Sequence, residues 1–204
     1  CKIIQFGFNS RKASYSMGNN VLESVTGERD LGVIIHQSLK SSSQCVKAVK
    51  SANATLGMIK RTFITRNKTT LLQLYKTLVR PKLEYCVQTW RPFLQRDIEL
   101  LEKVQRRATR MMVENKTLSY EERLKSLHLT TLETRRSRGD LIEVFKILRN
   151  MEGTDSNLYF KLSSTGLRGH SLKLYKQEAR LDVRKYFLVT GWWTHGIHFQ
   201  NGLS

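Results

Sequence analysis

Between Ser41 and Met111 the apolar residues of this 204-residue chain recur every three or four positions, with Lys and Arg filling the gaps. That spacing puts one apolar stripe along a helix and the charges on its other side. A chain so patterned folds into helices that bury one face against each other. Cys45, Val49, Ala52, Leu56, Ile59 and Phe63 form the first stripe, and Lys47, Lys50, Lys60 and Arg61 lie off it. Asn67 to Thr70 interrupts the pattern. Leu71, Leu74, Tyr75, Leu78 and Val79 begin a second helix, and Pro81 inside it predicts a kink or restart, because proline lacks an N–H and crowds the carbonyl four residues back. Leu83, Tyr85, Cys86 and Trp90 carry apolar content up to Pro92. A third helix, from about Arg96, has Ile98, Leu101, Val104, Ala108 and Met111 on one face and Lys103, Arg106, Arg107 and Arg110 on the other.

Before Ser41 the pattern suits strands. Lys2 to Phe8 is a short apolar run, Ala13 to Met17 alternates, and Gly18-Asn19-Asn20 supplies turn residues that tolerate positive φ. Val21, Leu22 and Val25 follow, then Thr26-Gly27-Glu28 as another turn and Leu31 to Ile35 as a β-branched strand. After the third helix, Ser119 to Glu122 and Thr130 to Glu133 each read as a capping box, so a short helix near 120–127 precedes a longer one near 132–151. The latter opens on Arg135, Arg136 and Arg138 and carries Leu141, Val144, Phe145, Leu148 and Met151. Gly153 to Asn157 is a loop, Leu158 to Leu162 and His170 to Tyr175 are short extended candidates, and 191–204 has no clean period. The expected fold class is α+β, mostly α: a small N-terminal antiparallel hairpin sheet, a basic helical bundle and an irregular C-terminal tail.

Charge bears on the partner. Lys and Arg number 35 against 17 acids, a formal net charge of +18, while 40% hydrophobic residues are enough for a core and exclude a disordered polycation. Residues 41–110 alone hold 15 Lys and Arg against four acids. So basic a domain suits a polyanion. A membrane surface would call for one basic amphipathic helix with an exposed aromatic edge, whereas here the charge spreads over several helices, which favours nucleic acid and no membrane partner. No apolar run reaches the ~18 residues of a spanning helix. The chain opens on Cys1 with no charged-then-apolar leader, and is expected to be a piece of something longer. Cys1, Cys45 and Cys86 are too far apart for a metal knuckle and read as thiols in a reducing compartment, packed as small apolar residues.

No catalytic constellation stands out. Metal-assisted phosphoryl transfer needs carboxylates that hold two ions roughly 3.5–4 Å apart, and Asp30, Asp97, Asp140, Asp155 and Asp182 are each isolated in sequence. His195 and His198 lack a further ligand at metal spacing. The basic helix faces are what remains, with Lys60, Arg61, Lys103, Arg106, Arg107 and Arg110 the candidates for phosphate contact. Tyr75, Tyr85 and Trp90 are weighed as base-stacking residues and assigned to the core. The rival reading of the charges is an ordinary solvated helix surface.

Several strings resemble one family. Val79-Arg80-Pro81-Lys82-Leu83-Glu84-Tyr85 with Trp90-Arg91-Pro92, and Asp97 through Thr109, look like the region after the polymerase palm in jockey-like non-LTR retrotransposon reverse transcriptases. Asp30-Leu31-Gly32-Val33, Leu56 through Phe63 and Arg168 through Leu172 agree as well, so the likeness runs from Cys1 to about Phe187. It implies a C-terminal fragment of an RNA-directed DNA polymerase whose fingers and palm lie outside this chain. It also implies four segments: 1–40 similar to the palm end and primer grip, with Leu31 and Gly32 at the grip; 41–113 similar to the thumb; 114–187 similar to the C-terminal extension; and 188–204. The parent reaction would be target-primed DNA synthesis with Mg²⁺, in the nucleus, on a template–primer of RNA and DNA. The aromatic-Ala-Asp-Asp metal site of the family does not occur here, so the chain by itself is expected to hold no cofactor and to be inert. Two alternatives are a free-standing RNA-binding helical module and a protein-interaction bundle without a nucleic-acid role.

The tail departs from the family pattern after Phe187. Back-translated with free third bases in a shifted frame, it can read SRDRVVDTWNSFPEWVV, which restores that pattern. A frameshift near 187–190 is the resulting hypothesis, under which Trp193, His195 and His198 carry no selected role, and a nucleotide sequence whose shifted frame lacks this peptide would refute it.

Overall fold

The computed structural model describes residues 1–7, 13–63, 67–162 and positions 174, 175, 178 and 180. The expected tail at 188–204 and the extended candidate from His170 to Tyr175, apart from its last two residues, lie outside them. The fold is α+β and mostly α. The chain divides into two compact units, 1–133 and 134–204. The segment boundary expected near 113 falls inside the first.

Among the described residues, the strands of the first unit are short and form three separate pairs rather than one antiparallel sheet. β1 (Lys2–Ile3) pairs in parallel with β4 (Glu23–Ser24), β2 (Ser16–Met17) pairs with β3 (Asn20–Val21), and β5 (Gly27–Asp30) pairs antiparallel with β6 (Val33–His36). Gly18, at φ 61°, stands in the β2–β3 turn, as its sequence suggests. Two assignments change. Gly27 is no turn residue but opens β5 opposite His36, and Leu31 and Gly32 are not strand but the two-residue turn of the β5–β6 hairpin. Both have positive φ, 44° and 87°, as required by a turn whose twist matches that of its strands. An apolar β-branched run looks the same whether it starts before or after such a turn, and Leu31 is in fact 83% exposed.

The helices follow the stripes. α1 (Ser42–Thr62) buries Cys45, Val49, Ala52, Leu56 and Ile59. Phe63 does not complete this face: the helix ends at Thr62, and Phe63 turns extended while its N–H still donates to the Ile59 carbonyl. Asn67 caps the next helix, its side chain accepting from the amides of Thr69 and Thr70. That helix runs as α2 (Lys68–Leu74), a π-helical turn (Tyr75–Val79) and α3 (Arg80–Glu84).

The π turn is how the chain accommodates Pro81 without a break. Proline offers no N–H to the carbonyl of Thr77, and one wide turn, closed by the Arg80 amide on the Tyr75 carbonyl, precedes it. The turn also keeps the buried set in line. Leu71, Tyr75, Val79 and Leu83 step by four, which drifts roughly 40° per step around an α-helix, and a wider turn takes some of that back.

α4 (Val87–Trp90) follows a left-handed Cys86. α5 (Gln95–Met112) buries Leu101, Val104, Ala108 and Met112, and the half-buried Met111 packs against the same core. α6 (Tyr120–Ser126) carries the expected capping box, Ser119 with Glu122. The second expected box is out of step by one, since α7 (Leu132–Leu148) starts a residue late for Thr130 to cap it. One core gathers α1 to α6, the start of α7 and Val33 of β6. Cys45 is buried in it and the half-buried Cys86 packs against it, as expected, while Cys1 is exposed.

In the second unit, the rest of α7 offers Val144 and Ile147 to Phe160 and Leu174. Arg136, one of the basic residues that open this helix, is buried one turn from the buried Asp140. Ser156–Leu158 is a 3₁₀ turn rather than the start of a strand, and among the described residues that follow, Leu162 bridges Leu174.

Candidate nucleic-acid interface

α1 and α5 lie side by side in the same direction, tied at intervals. At their N-terminal ends the Ser42 hydroxyl donates to Asp97 Oδ2 at 2.6 Å. Asp97 is buried in the first turn of α5, where a carboxylate suits the positive end of the helix dipole. Midway, Arg107 Nη1 donates to Asn53 Oδ1 at 2.8 Å. Past that point the helices flank a cleft of about 240 Å³, lined by Lys60, Phe63, Leu71, Arg107, Arg110, Met111 and Lys116.

Three of the six residues proposed from sequence, Lys60, Arg107 and Arg110, therefore meet at one place. The other three lie elsewhere on the same two helices. Arg61 is exposed and its guanidinium lies back near Gly57, where an added Cβ would be 3.6 Å from Nη1. Lys103 is exposed one turn before Arg107. Arg106 turns the other way, its guanidinium 4.8 Å from the centre of the Tyr120 ring. Along α5 the positions Arg96, Glu99, Lys103, Arg107 and Arg110 recur at three and four and are all exposed, which makes a cationic ridge carrying a single acid.

Sequence reasoning missed three residues that line the cleft and one, Asn53, that holds Arg107 beside it. Phe63 and Met111 look like core positions by period. Lys116 stands in a loop with no pattern to mark it, and Asn53 is an ordinary helix residue until its partner is known. The cleft has four cations above an apolar floor and no carboxylate among its lining residues. Such a site can hold an anion by charge and by Arg hydrogen bonds, and can cover a flat apolar group beside it.

A buried polar group supports α5 from behind. Gln105 is fully buried; its Oε1 accepts from the Tyr75 hydroxyl at 2.6 Å, and its Nε2 donates to the Thr130 carbonyl at 3.0 Å and the Tyr120 hydroxyl at 2.9 Å. Glu102 accepts from the Tyr120 hydroxyl and, at 3.1 Å, from the amide of Leu132. Burial, aided by the Glu102 carboxylate, pushes the Tyr120 hydroxyl above its ordinary pKa, and burial does the same to Tyr75. Of the aromatic residues assigned to the core, Tyr75 and Trp90 are buried. Tyr85 is 55% exposed and spends its hydroxyl on the Leu31 carbonyl at 3.0 Å.

The hairpin turn at Leu31 and Gly32 is anchored in the same first unit. Lys47 Nζ donates to the Gly32 carbonyl at 2.7 Å, and Gln44 Oε1 accepts from the Ile34 amide at 2.9 Å. Among the described residues no three His, Cys, Asp or Glu side chains converge to hold a metal ion, and no helix is long and apolar enough to cross a membrane. No protein-family model, curated protein or solved structure matches the chain.

Proposed function

We propose that this chain is a nucleic-acid-gripping segment of an RNA-directed DNA polymerase of the jockey-like retrotransposon type, holding template–primer through the α1–α5 surface. The sequence strings quoted above suggest the polymerase. The observation that carries the grip is the meeting of Lys60, Arg107 and Arg110 with Lys116 around one cleft. Cations drawn together without a carboxylate repel one another, and a polyanion relieves that repulsion while releasing its own counterions. Asn53 holds Arg107 in place before any ligand arrives, which lowers the ordering cost of binding.

The Mg²⁺ of the parent reaction finds no fitting set of ligands among the described residues, so no step of bond-making is assigned to them. The role is positioning: the ridge sets the register of the strand by its phosphates and reads no sequence.

A labelled RNA–DNA hybrid titrated with purified protein at low and at moderate salt tests the reading. Binding that weakens steeply with salt, and that Arg107→Ala with Arg110→Ala weakens further, supports it. No binding at low salt would favour the protein-interaction bundle instead. A primer extended by this chain alone would overturn the division of labour.

A further inference from the structure

We infer that the cleft between α1, α2 and α5 takes one unpaired nucleotide of a single strand, its base against Phe63 and Met111 and its phosphate among the four cations. The inference rests on the reading above that these cations meet nucleic acid, and adds which form of it the cleft is shaped for. A blunt duplex shows phosphate and sugar outside and keeps its bases stacked within, so a duplex grip needs cations and gains little from an apolar floor. Here a floor is present. Phe63 leaves the buried stripe of α1 because its backbone turns extended, at φ −99° and ψ 102°, and its ring stays 38% exposed. Met111 is only half-buried, and the buried Leu71 of α2 lines the cleft as well.

A single strand is the polyanion that presents an open π-face within one nucleotide of each phosphate, and stacking on an aromatic side chain is tolerant of base identity. Size agrees. The volume of about 240 Å³ equals the share of roughly eight liquid waters, room for a base-sized group and not for a duplex. An acyl chain would want a longer apolar trough than three side chains provide. The arrangement therefore fits a template overhang or a frayed primer end next to a duplex held on the ridge.

The test uses fluorescence anisotropy of the whole chain with labelled 12-mers: oligo(U), oligo(dT), a fully abasic strand and a blunt RNA–DNA hybrid, at one low salt concentration. Phe63→Ala should weaken binding of oligo(U) or oligo(dT) by roughly 5- to 150-fold, the equivalent of ~1–3 kcal/mol per stacked base. Whichever of the two loses more identifies the strand type. The same variant should change the blunt hybrid and the abasic strand by less than twofold, and wild type should bind the abasic strand as weakly as the variant binds oligo(dT). Wild type that binds abasic and normal strands alike overturns the inference without reference to any variant. So does a Phe63→Ala loss that is equal on hybrid and single strand. If Arg107→Ala weakens every ligand and Phe63→Ala none, the phosphate grip stands and this inference alone fails. If no strand binds, both fail.

Discussion

Tyr75 and Gln105 offer a sharp test of what fixes α5, and with it the ridge. Their side chains meet at 2.6 Å with both residues almost fully buried. Gln105→Leu removes the acceptor and leaves the Tyr75 hydroxyl with no water to turn to. An orphaned buried polar group costs about 1–3 kcal/mol, and the lost bond itself about 1 kcal/mol. The Thr130 carbonyl and the Tyr120 hydroxyl also lose a donor, but both residues are half-buried and solvent can replace part of those bonds. The expected loss is therefore about 2–4 kcal/mol. Tyr75→Phe removes the donor instead and should cost about 1–3 kcal/mol by orphaning the Gln105 oxygen. With both changes neither orphan remains, so the double variant should lose less than the sum of the singles by about 1–3 kcal/mol. Urea titration followed by far-ultraviolet circular dichroism reads all four proteins, with the buried Trp90 as a second probe. A double variant whose loss equals the sum would refute the idea that the two groups are satisfied by each other.

Other consequences follow from the same packing. Tyr75 and Tyr120 both titrate above the ordinary 10.0, so the fold favours their neutral forms; that stabilisation is complete below the unfolded value and is lost as pH rises toward the folded one. In an alkaline absorbance titration two of the seven tyrosines should ionise late and together with unfolding, whereas seven early tyrosines would contradict the buried network. Glu122 is held below its ordinary 4.5 by the Ser119 backbone amide and hydroxyl, so its contribution is present above that value and fades as pH falls through the lower, folded one. Stability in acid should therefore fall more steeply for wild type than for Glu122→Gln, and parallel curves would remove the capping box from the account. At the hairpin, Gly32→Val would put a Cβ 3.3 Å from the Tyr85 ring at φ 87° and should cost about 1–3 kcal/mol, while Leu31→Asn should gain about 0.5–1 kcal/mol in the same urea assay.

The helices were legible because burial has a period. Cys45 through Ile59 on α1 and Leu101 through Ala108 on α5 needed only counting. The Ser119 box was legible because a hydroxyl and a carboxylate at that spacing have one economical use. What escaped was tertiary. Whether Phe63 continues a stripe or leaves it depends on where the helix ends, and period carries no such information. Leu31 reads as a strand residue until the hairpin register makes it a turn. The parallel pairing of β1 with β4 joins residues 21 apart, beyond any local signal. Gln105 and Glu102 sit at polar letters of an amphipathic pattern, yet both are buried, because Tyr75, Tyr120 and Leu132 arrive from other helices to satisfy them. The cationic faces were visible on each helix, but not that Lys60, Arg107 and Arg110 share a cleft while Arg106 stacks on Tyr120.

The most direct measurement is the salt dependence of hybrid binding. Each phosphate neutralised on a duplex contributes about −0.9 to the slope of log K against log salt. Exchanging both Arg107 and Arg110 for Ala should flatten that slope by nearly two, with far-ultraviolet circular dichroism unchanged because both side chains line an open cleft. A slope that is the same in wild type and double variant, or that is near zero in wild type, would contradict the claim that this ridge meets phosphates.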